Sequence, residues 1–299
     1  MSALDTFLEH RPTMLAAAFR ITGSRSDAED VVQESWERWE RVDHERVDSP
    51  RAYLAVMASR LALNTLRTQR RRRETYVGPW LPDVVVDDGS PDWVVLQRDG
   101  LGQALDVVLA ALSPEQATAY VLRKVLDLGY ADIASTLETS ETNARQIVSR
   151  AQRAVTRALD GDPAARRARD AAALTALAEA VATEDVARVV ALLAPTSALH
   201  ADGGGLVTAA LRPIVGPEKV ARMLLGLASR PGLEVLPRII NGGVGALVLE
   251  HGVLTTVVTV RTGAAGIEEL YFLRNPERLP QLAPPPKPAP SPSPSPPSS

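Results

Sequence analysis

Asn143, Arg145, Gln146, Ser149 and Arg150 lie within eight residues of one another, and helical spacing puts them on one face. Arg can bond guanine bidentately and Asn or Gln can do so to adenine, so this is an inventory for reading base edges. A second set, Arg60, Asn64 and Arg67, falls at i, i+4 and i+7 and runs on into Arg70, Arg71, Arg72 and Arg73. Such a basic face suits phosphate contact, each contact adding salt-dependent affinity. A third set is acidic: Glu29, Asp30, Gln33, Glu34 and Glu37, flanked by Trp36 and Trp39. It would repel DNA and suits a basic protein surface, with the tryptophans as apolar anchors, although Trp39 is expected in the core. The one candidate acid–base pair is His200 with Asp202, which share a face of an alternating strand. They have few polar neighbours, and an interface role for Asp202 beside the Gly203-Gly204-Gly205 turn is the favoured reading.

The elements that must position these residues follow from capping and periodicity. Ser26 with Glu29 forms a capping-box pattern opening a helix with Ala28, Val31, Val32, Ser35 and Trp39 on its inner face. Before it, Leu4, Phe7, Leu8, Leu15, Phe19 and Thr22 form an apolar stripe ended by Gly23. Ser49-Pro50 starts the basic helix, which could run to about Glu74 with Leu54, Met57, Ala58, Leu61 and Thr65 inward. From Tyr76 to Gly100 the periodicity stops and Gly and Pro mark a linker, unusually apolar at Trp80, Leu81 and Trp93. Ser113-Pro114 with Gln116 is another capping box, and Gly129 reads as the stop of that helix. Two short helices, 131–137 and 141–159, then form a helix-turn-helix, with Ala134 and Ala144 small enough for a close crossing. The alternative is a plain helical hairpin with a solvated polar face. Glu138 occupies a turn position that often holds Gly; a positive φ there would carry a strain of order 1 kcal/mol.

The last segment changes character. A helical stretch over 171–193 precedes strand-like runs at 197–201, 206–210, 233–240, 245–250, 254–261 and 267–273, interrupted by a helix near 218–228. Helices followed by antiparallel-looking strands indicate an α+β domain. The tail from Pro284 is Pro/Ser low complexity. The chain divides into units at 1–75, 76–100, 101–160, 166–280 and 281–299.

Composition narrows the function class. There are no cysteines among 299 residues, excluding disulfides and thiolate chemistry, and the four histidines show no metal-ligand spacing. The net charge of −3 argues against a strong autonomous nucleic-acid binder, but the charges are segregated, acidic over 27–40 and basic over 51–73. Two partners of opposite character are expected, one polyanionic. No run is apolar or long enough to span a membrane and no signal peptide is recognisable, so a cytoplasmic protein is expected.

These residues carry a resemblance. Gly23-Ser24 with Asp27-Ala28-Glu29-Asp30-Val31-Val32-Gln33-Glu34-Ser35-Trp36 resembles the polymerase-binding part of sigma region two, and 49–73 resembles its promoter-opening helix. Residues 112–159 resemble region four. Tyr76-Val77-Gly78-Pro79-Trp80-Leu81-Pro82, Asp202-Gly203-Gly204-Gly205 and Asn275-Pro276-Glu277-Arg278-Leu279 together are similar to extracytoplasmic-function sigma factors with a C-terminal SnoaL-like (NTF2-like) domain. The resemblance implies two all-α units followed by an α+β cone with a curved antiparallel sheet. It implies core RNA polymerase and promoter DNA as partners and neither catalysis nor a cofactor. The acidic helix (Asp30, Gln33, Glu34, Trp36, Glu37) would dock on polymerase, and Arg60, Asn64, Arg67, Arg70 and Arg71 would engage the minus-ten element. Bases flipped there would sit in the loop 41–48. Asn143, Arg145, Gln146, Ser149 and Arg150 would read the minus-thirty-five element. Tyr76, Gly78, Pro79, Trp80, Leu81, Pro82, Asp202, Gly203, Gly204, Gly205, Asn275 and Pro276 would form an interdomain contact replacing a separate anti-sigma protein. The C-terminal pocket could take a small ligand the sequence does not identify. The alternatives are a ligand-responsive helix-turn-helix regulator and, further off, a SnoaL-type isomerase or cyclase.

Overall fold

The computed structural model describes residues 2–73, 75–87, 91–98, 102–159 and 162–279. Helix α1 (Ala3–Thr22) opens on a capping box between Ser2 and Asp5 and closes at Gly23, whose φ of 67° is left-handed. Ser24, not Ser26, caps α2 (Arg25–Trp39), accepting from the Asp27 N–H. Gly23 turns the chain so sharply that helical geometry resumes at Arg25, leaving Ser26 inside the first turn. Helix α3 (Pro50–Arg73) starts from Ser49, whose hydroxyl accepts from the Ala52 N–H. The three helices bury Ala16, Ala17, Ala18, Ala28, Ala58 and Ala62, small side chains that allow close approach. Leu4 and Leu8 stay about half exposed, against the expected stripe. Their face of α1 is covered only farther along, where Phe19 meets Trp93 edge-on at 5.6 Å.

The described parts of the 76–100 segment, 76–87 and 91–98, pack closely on the rest of the chain. Leu81, Val84, Val85, Trp93 and Leu96 are all buried. Its extended part, 76–87, satisfies its backbone across the molecule: Asp83 N–H to Gly23 O, Leu81 N–H to Asp202, Val85 N–H to Asn241 and Asp87 N–H to Ile239 O. Gly and Pro interrupt regular structure, but they do not prevent burial when the backbone finds other partners. After a 3-10 turn at Pro91–Trp93, the short α4 (Val94–Arg98) packs on α1.

Helices α5 (Gly102–Ala111) and α6 (Pro114–Tyr120) follow, α6 with the expected Ser113–Gln116 capping box. The chain continues as a π turn at Val121–Val125 and turns at Asp127, φ 53°. Gly129 therefore does not end that helix; it is the extended N-cap of α7 (Tyr130–Thr136). Helix α8 (Glu141–Ala158) packs against α7, and Ala134 and Ala144 are both buried. Glu138 does adopt the left-handed conformation, φ 53°. Apolar side chains from α1–α3 and α5–α8 merge into one core, so the helices form a single body.

The remainder is an α+β unit. Helices α9 (Pro163–Ala182) and α10 (Val186–Leu192) replace the single expected helix, broken where Glu184 takes φ 54°. Strands β1 (Leu193–Asp202) and β2 (Ile214–Val215), helix α11 (Pro217–Ala228) and strands β3 (Leu233–Ile240), β4 (Gly243–Glu250), β5 (Val253–Gly263) and β6 (Gly266–Leu273) complete it. The 206–210 run is not a strand but part of the connection between β1 and β2. The sheet order is β2-β1-β6-β5-β4-β3. It is mixed, correcting the antiparallel expectation: β1 runs parallel to β6, while the other pairs are antiparallel. β3 to β6 form a hairpin meander whose last strand returns alongside β1, and that order leaves a parallel pair. Leu199, Ala201, Val248, Val258, Leu270 and Phe272 face α9 and α11. The opposite face, with Leu247, Val257 and Leu273, packs on Val84 of the 76–87 strap.

Candidate functional site: two polar helices and a buried latch

On α8, Asn143, Arg145, Gln146, Ser149 and Arg150 are all exposed. Ala144, Val148, Ala151 and Val155 bury the other side, so the apolar periodicity alone aims the polar set outward. Arg145 is steadied by Glu141 at 3.1 Å and lies 4.4 Å from the Tyr130 ring centroid. The Asn143 amide donates to Thr139 Oγ1 at 2.8 Å. Arg145, Gln146, Ser149, Arg150 and Arg153 line one open concavity.

On α2, Asp30, Gln33, Glu34 and Glu37 are exposed, with Glu34 held by Arg38 at 2.6 Å. Trp36 is half-buried, its ring edge-on to Phe7 at 5.0 Å, so only part of it is free for a partner. Trp39 is core, donating its indole N–H to Ala3 O.

On α3, Arg60, Asn64 and Arg67 share an exposed face, but that face looks at the chain's own second helical unit. Arg60 donates to Ser135 O at 2.7 Å and to its hydroxyl at 2.5 Å. Arg67 pairs with Glu115 at 3.0 Å, and Arg70 donates to Leu112 O. The Arg71 side chain lies outside the described residues. Three guanidiniums of this face, those of Arg60, Arg67 and Arg70, are thus bonded to α7, α6 and the turn before α6.

The C-terminal unit meets the helical body at a latch centred on Asp202, which is wholly buried. Its Oδ1 accepts from the Tyr76 hydroxyl at 2.6 Å and the Gly204 N–H at 3.1 Å. Its Oδ2 accepts from the Leu81 N–H at 2.9 Å and Arg278 Nη1 at 2.8 Å. Arg278 also pairs with Asp83, donates to Leu81 O at 2.5 Å, and lies 5.5 Å from the Trp80 ring centroid. Burial alone would lower the Arg278 pKa, but Asp83 and Asp202 outweigh it and hold the charge. The Asn275 amide donates to the Tyr76 hydroxyl at 3.0 Å, and its oxygen accepts from Glu277 N–H across the exposed Pro276. Glycine is required at two points. A Cβ on Gly204, already at φ 63°, would fall inside the Asn275 amide, and one on Gly23 would stand 2.8 Å from the Trp80 ring. Gly203 and Gly205 complete the turn, the latter against Val77, and Gly78 takes φ 84° beside Leu211. Pro79 and Pro82 frame Trp80 and Leu81, and Gln103 donates to Pro82 O.

His200 and Asp202 do share a face, but it is the face toward the helical body, away from the concave side. His200 bonds Glu269 at 2.7 Å, and both Asp202 oxygens are committed to the latch. His200 and Asp202 therefore form no acid–base pair with each other.

Two contacts carry no sequence signal. Arg278 lies in the segment expected to touch the linker, yet nothing in its type or spacing marks Asp83 and Asp202 as partners. The second is a buried junction of all three units: Arg20 on α1 pairs with Asp106 on α5, whose Oδ2 accepts from the Asn241 amide at 2.7 Å. Asn241 also exchanges two hydrogen bonds with Val85 of the strap. Asn241-Gly242 reads only as a hairpin turn in the sequence.

The latch is expected to weaken at high pH. Burial, then the hydrogen bond donated to Asp202, raises the Tyr76 pKa above its ordinary 10.0. The folded chain keeps a proton that the unfolded chain loses, so stability from Tyr76 is complete below about pH 10 and falls as pH rises through the raised value. Tyr76→Phe should lower the thermal midpoint at pH 8 and flatten its decline above pH 10, measured by a melt series against pH. An unchanged alkaline slope would show that Tyr76 does not couple to folding.

Among the described residues no helix is long and apolar enough to cross a membrane. The Sigma-70 region 2 family model matches residues 6–72, and the Sigma-70, region 4 model matches residues 102–155. The chain is 40% identical over 246 residues to the ECF RNA polymerase sigma factor SigJ of Mycobacterium tuberculosis, covering 79% of this chain and 78% of that protein. It is 28% identical over 279 residues to the probable ECF RNA polymerase sigma factor SigI of the same species, covering 91% and 93%. The crystal structure of M. tuberculosis SigJ superposes with a TM-score of 0.74 at 32% identity, covering 93% of this chain and 98% of that one. The chain belongs to the extracytoplasmic-function RNA polymerase sigma factors, which are not enzymes but partner core RNA polymerase to initiate transcription at promoter DNA.

Proposed function

We propose that this sigma factor is controlled in cis by its C-terminal unit, which holds the two DNA-facing helices in a closed arrangement. In the open form α2 docks on core polymerase through Asp30, Gln33, Glu34, Trp36 and Glu37. Arg60, Asn64 and Arg67, with Arg70 and Arg71, engage the melting minus-ten element, and the 41–48 loop takes flipped bases. Asn143, Arg145, Gln146, Ser149 and Arg150 read the minus-thirty-five element from the major groove. Its place of action is the cytoplasm, where polymerase and promoters meet.

The observation that carries this reading is the pairing of Arg60 with Ser135 and of Arg67 with Glu115. Those bonds commit part of each guanidinium to the chain's own second helical unit, and the Asp202 latch ties the intervening strap to the sheet. The expectation that no separate anti-sigma protein is needed finds no support in the comparisons.

The test is run-off transcription with core polymerase. Glu115→Ala removes one closing contact without touching a proposed DNA contact, and should raise promoter-dependent transcript about two- to fivefold, in proportion to the roughly 0.5–1 kcal/mol of an exposed pair. No promoter-dependent transcript from either protein, with core present, would sink the reading. A gel shift separates the alternative: a helix-turn-helix repressor binds its site without core, whereas this factor should need it.

A further inference from the structure

A half-open cavity of about 640 Å³ lies between β3–β6 on the concave side of the sheet and the helices α9 and α11. Its walls include Leu177, Leu224, Ala246, Val248, Val258 and Phe272. Its charged residues, Glu179, Glu184 and Arg230, are exposed at the mouth, where Arg188 pairs with Glu179 and Glu250 with Arg230. Such a volume takes a drug-sized molecule, and walls of this composition favour one that is uncharged and apolar along its buried length. The chain's own tail is a poor occupant. The last described residue, Leu279, packs on the opposite face with Val84 and Leu247, and residues 280–299 contain a single large apolar side chain, Leu282.

The cavity and the latch share a strand. Phe272 forms part of the cavity wall, and Arg274, two residues on, donates its N–H to Asp202 O at 2.7 Å. Asn275 follows, bonded to Tyr76. A molecule wedged between α11 and the sheet would press on β6 next to the residues that close the latch.

We infer that this cavity is a receptor site for an uncharged, drug-sized apolar molecule, whose binding loosens the Asp202 latch. This rests on the cis-control reading for its consequence, but not for binding itself, so the two can fail separately. Nile red, a neutral apolar dye, serves as the probe with the full-length chain. Saturable binding is expected, weakened at least tenfold by Ala246→Phe, which fills the cavity. Leu177→Trp, on the opposite wall, gives the same test if Ala246→Phe does not fold. Hydrogen exchange across residues 76–85, which include the Leu81 amide bonded to Asp202, should quicken at least threefold when the dye is bound. No saturable binding, or binding indifferent to both fillings, overturns the site. Binding that leaves exchange at 76–85 unchanged overturns the coupling to the latch. A chain ending at Pro280 that binds at least tenfold tighter would make the tail the occupant and overturn the proposal.

Discussion

Asp202→Ala in the full-length chain is expected to raise promoter-dependent transcription at least tenfold with core polymerase, while the thermal midpoint of the C-terminal unit falls. The carboxylate has four donors, from Tyr76, Gly204, Leu81 and Arg278, and is shielded from water. Removing it strands the buried Leu81 N–H, at about 1–3 kcal/mol, and takes the acceptor from the half-buried Tyr76 hydroxyl, which keeps its bond from the Asn275 amide. It also leaves Arg278 with Asp83 as its remaining carboxylate, and breaking one side of a buried ion pair costs about 3–5 kcal/mol. Relaxation and water entry will recover part of that loss. Even about 1.4 kcal/mol of it, spent on the closed-to-open equilibrium, shifts the ratio tenfold. Asp202→Asn keeps the size and one acceptor oxygen and should lie between wild type and Ala. If Asp202→Ala remains folded by circular dichroism and transcribes no better than wild type, the latch does not restrain the factor.

The second large effect concerns stability. Arg20 and Asp106 bury side chains that are 0% and 1% exposed, and Asn241 joins them from the β3–β4 turn. Arg20→Met leaves Asp106 with a buried charge and should cost about 3–5 kcal/mol, read as a lower urea midpoint. Asp106→Leu should also destabilise, because it removes the buried carboxylate that pairs with Arg20. The double substitution removes both charges and should recover part of the loss, because two apolar side chains leave no buried charge unpaired, although the Asn241 amide still loses its Asp106 acceptor. Losses that simply add across the cycle would mean that Arg20 and Asp106 act independently, contrary to their geometry. Since this junction joins α1, α5 and the sheet, single substitutions should also loosen the strap at Val85, which Asn241 holds.

Much of the molecule can be read locally. The Ser113–Gln116 box, the Ser49-Pro50 start and the outward set on α8 depend on side chains within one or two turns, so spacing alone places them. The same local logic misplaces the cap of α2 at Ser26, because the left-handed Gly23 sets where the next helix begins. It also makes Gly129 a helix stop, although the break comes earlier at Asp127.

By itself, then, the sequence determines which face each helix turns outward, where most helices start, and which strands exist from β3 to β6. Periodicity and capping are short-range, and those features need nothing more. Only the tertiary structure decides what covers each face. It turns Arg60 and Arg67 onto Ser135 and Glu115, sets β1 parallel to β6, and buries the 76–87 strap. It also turns Asp202 away from the cone and into a latch with Tyr76, Leu81 and Arg278. Those partners are separated along the chain by tens to hundreds of residues, and no repeat or spacing links them. Their pairing is chosen by the need to satisfy buried polar groups once the helical body and the sheet close on one another.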